Sequence, residues 1–214
     1  MLKCFVAGCV LVALGAGAQV ASVKTQVTNR VMETKSAPAT SGTATNPTNN
    51  PTAKREVALL AGGCFWGMEE ILRKIPGVLE TRVGYTGGTM PNPTYRLVCT
   101  GITGHAEAIE IAFDPGKITY EKVLDYFFRM HDPTTLNQQH NDRGTQYRSA
   151  IFYTSDEQKA TAEQVKARFD KSGRFKKPIV TEITKATTFY SAEDYHQKYL
   201  IKNPGGYNCH VLYD

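Results

Sequence analysis

Apolar residues between Glu56 and Ala186 fall into short runs separated by stretches of helical spacing, and each predicts one element. "EVALLAG", residues 56–62, is a nearly unbroken apolar run that reads as a buried strand. Phe65, Met68, Ile71, Leu72 and Ile75 then recur at helical spacing and predict a helix over residues 65–74. "GVLETRVGYTGG", residues 77–88, reads as a strand that ends in a glycine loop. "HAEAIEIAFD", residues 105–114, alternates strictly, with His105, Glu107, Ile109, Ile111 and Phe113 on one face and Ala106, Ala108 and Glu110 on the other. "TYEKVLDYFFRMH" predicts a helix capped by Thr119, with Lys122 at the third helical position so that no full capping box forms. "RSAIFYT" is a strand, Ser155 caps a polar-faced helix to about Lys171, and "IVTEITKA" is a last strand.

That order implies an α+β fold, a two-layer sandwich in which helices pack on a mostly antiparallel mixed sheet with a ferredoxin-like core. Residues from Phe189 to Asp214 are expected to be irregular, Gly- and Pro-rich cover. Ahead of the domain, "TKSAPATSGTATNPTNNPT", residues 34–52, holds no aromatic and no large aliphatic side chain. Such a stretch buries too little apolar surface to offset its ordering entropy and reads as a flexible linker. The expected organisation is a signal peptide over 1–18, a Ser/Thr/Asn/Pro-rich linker over 19–55 and one domain over 56–214.

The signal peptide rests on "MLKCFVAGCVLVALGAGAQVAS": Lys3, an apolar run from Phe5 to Leu14, then small residues that place cleavage after Ala18. The run is shorter than the roughly 20 residues that span a bilayer. Export to the periplasm or medium follows as the expectation, with lipid anchoring at Cys9 of "VAGC" ranked second because the apolar run continues past it. The net charge of +5 changes little, because residues 1–55 hold six basic residues and one acidic residue. The domain is therefore neutral, which sets nucleic-acid binding aside.

Removal of Cys4 and Cys9 with the signal leaves Cys64, Cys99 and Cys209, an odd number that favours thiol chemistry over a static disulfide scaffold. Cys64 stands in "GGCFWGMEE", between glycines and two aromatics at the start of a helix. Helix N-terminal N–H groups favour thiolate over thiol, so a lowered thiol pKa and a nucleophilic role are expected there, against the commoner fate of a buried structural cysteine. Only one of Phe65 and Trp66 can face the core squarely; the other offers an apolar lining suited to a methyl or thioether group. Cys99 in "RLVCTG" reads as a small buried residue on an apolar helix face.

"GGCFWGMEE", "YTGGTMPNPTYRLVCTGITGHAEAIEIAFDP", "FFRMHDPTTLNQQHNDRGTQYRSAIFY" and "KNPGGYNCH" occur in an order that resembles the A-type peptide methionine sulfoxide reductases over about residues 56–214. The resemblance implies that Cys64 is the nucleophile and that Phe65 and Trp66 cage the methyl group of methionine sulfoxide. It implies further that Tyr95, Glu107 and Tyr147 hydrogen-bond and protonate the sulfoxide oxygen, and that Asp142 supports the pocket. Glu107 shares a face with Ile109 and Ile111, and a carboxylic acid kept protonated by an apolar surround is a natural proton source. Alone, Tyr95 and Tyr147 would read as half-buried tyrosines and Asp142 as a turn residue ahead of Gly144.

Cys209 matches the family's resolving cysteine, which would turn a Cys64 sulfenic acid into a disulfide, and Gly205 and Gly206 suggest a mobile tail. A permanent Cys64–Cys209 structural disulfide is the alternative. The resemblance implies a thioredoxin or thioredoxin-like reductant, the S epimer of free and peptide-bound methionine sulfoxide as substrate, and repair of oxidised exported proteins. No cofactor and no metal are expected, since there is no P-loop, no dinucleotide fingerprint and no Cys or His pair at ligand spacing. The domain is expected to be a monomer, with Gln146, Arg148 and His196 structural, His196 facing a helix or the surface. Two rivals use the same residues: a cysteine hydrolase needing a histidine base, and a binding module that would not need Cys209.

Overall fold

The computed structural model describes residues 54–214; the expected signal peptide and the linker up to residue 53 lie outside the described residues. The chain runs β1 (Glu56–Gly62), α1 (Phe65–Leu72), β2 (Val78–Thr86), α2 (Tyr95–Cys99), β3 (Ala106–Phe113) and α3 (Tyr120–Met130). Then come β4 (Gln138–Gln139), β5 (Asp142–Arg143), a 3-10 turn (Thr145–Tyr147), β6 (Ser149–Tyr153), α4 (Asp156–Lys171), β7 (Glu182–Lys185), β8 (Tyr190–Ser191) and α5 (Tyr199–Lys202). Six strands form one sheet in the order β7-β6-β1-β3-β2-β8, and β4 pairs with β5 separately. Every neighbour in the large sheet is antiparallel except β6 and β7. That exception follows from α4, a helical crossover that returns the chain in the same direction. Its centre, β6-β1-β3-β2 with α1 and α3 as connections, is the α+β arrangement expected from the sequence.

One sheet face carries the main core. Met68 and Leu72 of α1, Val123, Leu124, Phe127 and Phe128 of α3, and Ala162 and Val165 of α4 pack on Leu60, Ile109, Ile111, Phe113 and Ile151. The other face is lined by small residues, Ala61, Ala106, Ala108 and Ala150, with Leu59 and Phe152, and is covered by Ala186 and Phe189. Both faces of β3 are therefore covered, and Glu107 is buried.

Thr119 and Ser155 cap α3 and α4 as expected, each hydroxyl accepting the N–H three residues on. The first helix ends at Leu72, short of the predicted residue 74. Lys74 and Ile75 bond back to Ile71 and Leu72 in a tighter turn, because Pro76 disfavours helical backbone at the residue before it. The last strand is likewise shorter than predicted. Within the segment expected to be irregular, β8 pairs with Gly84 and Tyr85 of β2 and α5 forms one turn. Cys99 is half-buried at the end of α2, not buried as expected, because only Val98 of that short helix faces inward.

A buried charge fastens this returning segment to α1. Glu69, 1 % exposed, accepts hydrogen bonds from Thr81 Oγ1 at 2.9 Å, from the Lys198 backbone N–H at 2.7 Å and from Lys198 Nζ at 3.1 Å. Lys198 sits in left-handed backbone, φ 53°, to bring both of its donors onto one carboxylate.

Candidate active site

Cys64 is placed by a strand that stops and a helix that starts two residues later. Gly63 bridges them with φ +102°, and a Cβ there would lie 2.6 Å from Gln139 Cγ, so only glycine fits. Cys64 then takes extended backbone as the N-cap of α1, with its thiol 6 % exposed. The thiol pKa is raised well above its usual value, opposite to the sequence-based expectation. Its hydrogen bond to Cys209 is the largest cause, followed by burial and the nearby Glu107 carboxyl; the Trp66 N–H pulls the other way and is outweighed.

Glu107, 2 % exposed, lies beyond the last β1–β3 pair, Leu60 with Ile109, and opposite Tyr85 of β2. Its Oε2 accepts the Phe65 N–H at 3.2 Å, meeting one of the free donors at the start of α1. Burial raises its pKa to about 8, against that N–H, so the carboxyl is protonated at neutral pH and keeps an O–H to donate. Tyr95 opens α2 and Tyr147 closes the 3-10 turn; burial first, and Glu107 next, keep both phenols protonated. Asp142, half-buried on β5, accepts the Tyr207 hydroxyl at 3.0 Å, and burial with the neighbouring Cys209 lifts its pKa to about 7.

Phe65 is 1 % exposed and packs on Tyr85 at 6.0 Å, while Trp66 is only half-buried, the division expected of two consecutive aromatics. Trp66 stacks on Tyr199 at 3.8 Å and donates from Nε1 to His196 Nδ1 at 3.0 Å. His196 is thus 1 % exposed and not at the surface. It sits among Phe65, Trp66, Tyr95 and Tyr195, and burial lowers its pKa to about 4. Glu193 supports the same wall, accepting the Tyr85 hydroxyl at 2.8 Å and the Tyr95 N–H at 2.9 Å.

Cys209 reaches this site on the returning tail. Its sulfur hydrogen-bonds Cys64 and lies 3.2 Å from His210 Nδ1. The Cys64 bond, then His210, pull its pKa down against burial, while the same bond raises that of Cys64. Both thiols are free, which excludes a standing Cys64–Cys209 disulfide in this structure. Three of the histidines that a hydrolase could use have partners other than Cys64. His105 accepts from Gly88 N–H and bonds Met90 O, His131 lies between Phe127 O and Ser149 Oγ, and His210 faces Cys209. Among the described residues no group of three His, Cys, Asp or Glu side chains could hold a metal ion.

The family profile described as peptide methionine sulfoxide reductase matches residues 56–214. A peptide methionine sulfoxide reductase MsrA of Methanothermobacter thermautotrophicus is 56 % identical over 152 residues, covering 71 % of this chain and 90 % of the relative. The chain belongs to the A-type peptide methionine sulfoxide reductases. It is an oxidoreductase that reduces methionine sulfoxide. The crystal structure of reduced Mxr1 from Saccharomyces cerevisiae is similar, with TM-score 0.72, 40 % identity, and coverage of 76 % of this chain and 94 % of that one. Mxr1 in complex with Trx2 is also similar, with TM-score 0.52, 27 % identity, and coverage of 76 % and 93 %.

In this reductase Cys64, Cys209, Glu107, Tyr95, Tyr147 and Asp142 lie in one neighbourhood with Phe65 and Trp66 on its wall, while Gln146 and Arg148 bond backbone carbonyls nearby. Gln146 is 3 % exposed and bonds Cys99 O, and Arg148 bonds Thr145 O and Gly87 O. Missed from sequence were His196, Glu193, Tyr85, Tyr199, Tyr207 and His210. Each works through a partner far along the chain, and no local pattern marks them.

Proposed function

We propose that this enzyme reduces the S epimer of methionine sulfoxide, free and in proteins, through Cys64 and Cys209. The substrate methyl sits between Phe65 and Trp66, and Tyr95 and Tyr147 hydrogen-bond the sulfoxide oxygen. Cys64 attacks the sulfoxide sulfur, its proton passing to the Cys209 thiolate, while Glu107 protonates the oxygen. The oxygen ends on Cys64 as sulfenic acid and methionine leaves. Cys209 then attacks the Cys64 sulfur, the hydroxyl leaves as water, and a disulfide forms. A thioredoxin-like dithiol reduces it by exchange, becoming a disulfide itself. The observation that carries this reading is the meeting of a Cys64–Cys209 hydrogen bond with a protonated, buried Glu107.

Separated epimers decide it. Steady methionine formation is expected from S-methionine sulfoxide and not from R, with either dithiothreitol or a thioredoxin system as reductant. Cys209→Ser should release one methionine per enzyme and then stop on the thioredoxin system. Turnover of the R epimer at a comparable rate, or unimpaired cycling of Cys209→Ser, would overturn the reading.

The enzyme also acts outside the cytoplasm on oxidised exported proteins, a reading supported by the apolar run and small residues of the leader. Expressed from its full sequence in a Gram-negative host, it should be recovered from the periplasm or medium with Gln19 as its first residue. Full-length protein retained in the cytosol would contradict this.

A further inference from the structure

The ring of His210 spans the gap between the segment that presents Cys64 and the sulfur of Cys209. It is 2 % exposed, although its neighbours Asn208 and Val211 are open to solvent. Nε2 lies 2.7 Å from the carbonyl oxygen of Gly62. A carbonyl only accepts, so Nε2 carries a proton, and Nδ1 faces Cys209 Sγ at 3.2 Å, where it donates to a thiolate and accepts from a thiol.

The seat for this ring is built into the helix that carries the nucleophile. A Cβ on Gly67 would stand 2.6 Å from His210 Nδ1 and 2.5 Å from Asn208 Oδ1. Asn208 Oδ1 accepts the His210 backbone N–H at 3.0 Å and closes the turn that holds Cys209 between them. Further along, Tyr213 and Asp214 are fastened to Arg129, which donates to Tyr213 O at 2.8 Å and receives the Tyr213 N–H at 3.0 Å. His210 both bonds the nucleophile's segment and touches the second sulfur.

We propose that His210 is a positioning residue and proton acceptor for Cys209 in disulfide formation, an inference that rests on the resolving role given to Cys209 above. Once Cys64 has attacked the sulfoxide, its proton is on Cys209, and a thiol is a poor nucleophile. With Cys209 neutralised, His210 gives up its Nδ1 proton to solvent and then takes the proton from Cys209; the Cys209 sulfur forms the S–S bond; the S–O bond of the Cys64 sulfenic acid breaks. Glu107, reprotonated from solvent, supplies the proton with which the hydroxyl leaves as water, and the His210 imidazolium returns its proton to solvent. The net change is loss of one water from a thiol and a sulfenic acid, with no outside oxidant. The lowered pKa of Cys209, to which His210 contributes after Cys64, is the effect of an Nδ1–H that faces the resting thiolate.

The test is acid-quenched single turnover of the full chain with S-methionine sulfoxide, following methionine and the Cys64–Cys209 disulfide in the same samples between about pH 6 and 8. Methionine release serves as the internal reference for the first step. His210→Gln keeps an amide donor for Gly62 O and loses the base at Nδ1; His210→Ala loses both. Wild type should form the disulfide, relative to methionine release, at a rate that rises only a few-fold between about pH 6 and 8 and levels off, as expected of an imidazole base. In His210→Gln that relative rate should rise about tenfold per pH unit, as expected for a thiol that must ionise unaided below its usual pKa of about 8.5. In His210→Ala it should be lower still at every pH.

Cys64, Glu107, Asp142 and Tyr207 also face Cys209, and His131 faces His210; they are common to all three proteins, so the difference between profiles belongs to His210. Wild-type rates and a wild-type profile in both variants would overturn the inference while leaving Cys209 as the resolving residue. Absence of any Cys64–Cys209 disulfide in the wild type would instead sink the reading on which it rests.

Discussion

Cys64→Ser should lose methionine formation from S-methionine sulfoxide by at least about 10⁴-fold, with the protein still folded, because removing a nucleophile forfeits the whole covalent route. A serine hydroxyl at the start of α1 is far less acidic than a thiol, so its neighbour Cys209 cannot activate it as it does Cys64. Its hydrogen-bond partner would be Cys209, and the closest carboxyl, Glu107, is itself protonated at neutral pH. Nor could serine carry the transferred oxygen and be reduced again by a dithiol. Single-turnover methionine release, with circular dichroism to verify the fold, checks this. Substantial product from the variant would move the chemistry to another thiol.

Local and distant forces act on that sulfur in opposite senses, which explains why its resting protonation was misread from sequence. The glycines, the helix start and the aromatic pair are contiguous, so the location of Cys64 was legible. The helix terminus favours the thiolate by roughly 0.3–1 kcal/mol in ordinary settings. Full burial can shift a pKa by several units, each worth about 1.36 kcal/mol, and therefore wins. The partners that add to burial, Cys209 and Glu107, come from far along the chain.

The same division runs through the fold. Period-two alternation across Ala106–Phe113 was enough to place Glu107 among inward residues, and Thr119 and Ser155 marked two helix starts. Short pieces that depend on a partner were not readable: β8 has two residues and exists because β2 offers an edge, and β4 and β5 exist only as each other's partner. His196 is the clearest case at the site. Between an aspartate-tyrosine pair and a glutamine it reads as facing a helix or the surface, and nothing local says that the helix is α1, where Trp66, 130 positions earlier, needs an acceptor for its indole N–H. His210, 148 positions from Gly62, was hidden for the same reason.

Glu107→Gln should lower kcat by about 10² to 10⁴-fold, the usual range for removing a general acid, while making the protein more stable at alkaline pH. Both effects have one cause. Burial raises the Glu107 pKa to about 8 from an unfolded value of about 4.3, so between those values the folded chain holds a proton that the unfolded chain releases. Stability contributed by this group is therefore present below about pH 4, declines as pH rises through that window and is lost above about 8, a penalty of a few kcal/mol that glutamine does not carry. For activity the sign is the same. The protonated carboxyl is the donor, so wild-type kcat/KM should fall about tenfold per pH unit above pH 8, and the small remaining activity of Glu107→Gln should show no such break. Thermal melts and pH–rate profiles on both proteins separate this from a merely structural role, in which glutamine would keep the rate, and from a carboxylate base, in which wild-type activity would rise through the same pH. A donor poised at the edge of ionisation beside a thiol that must lose its proton explains why an acidic residue is tolerated in a sheet whose two faces are both closed.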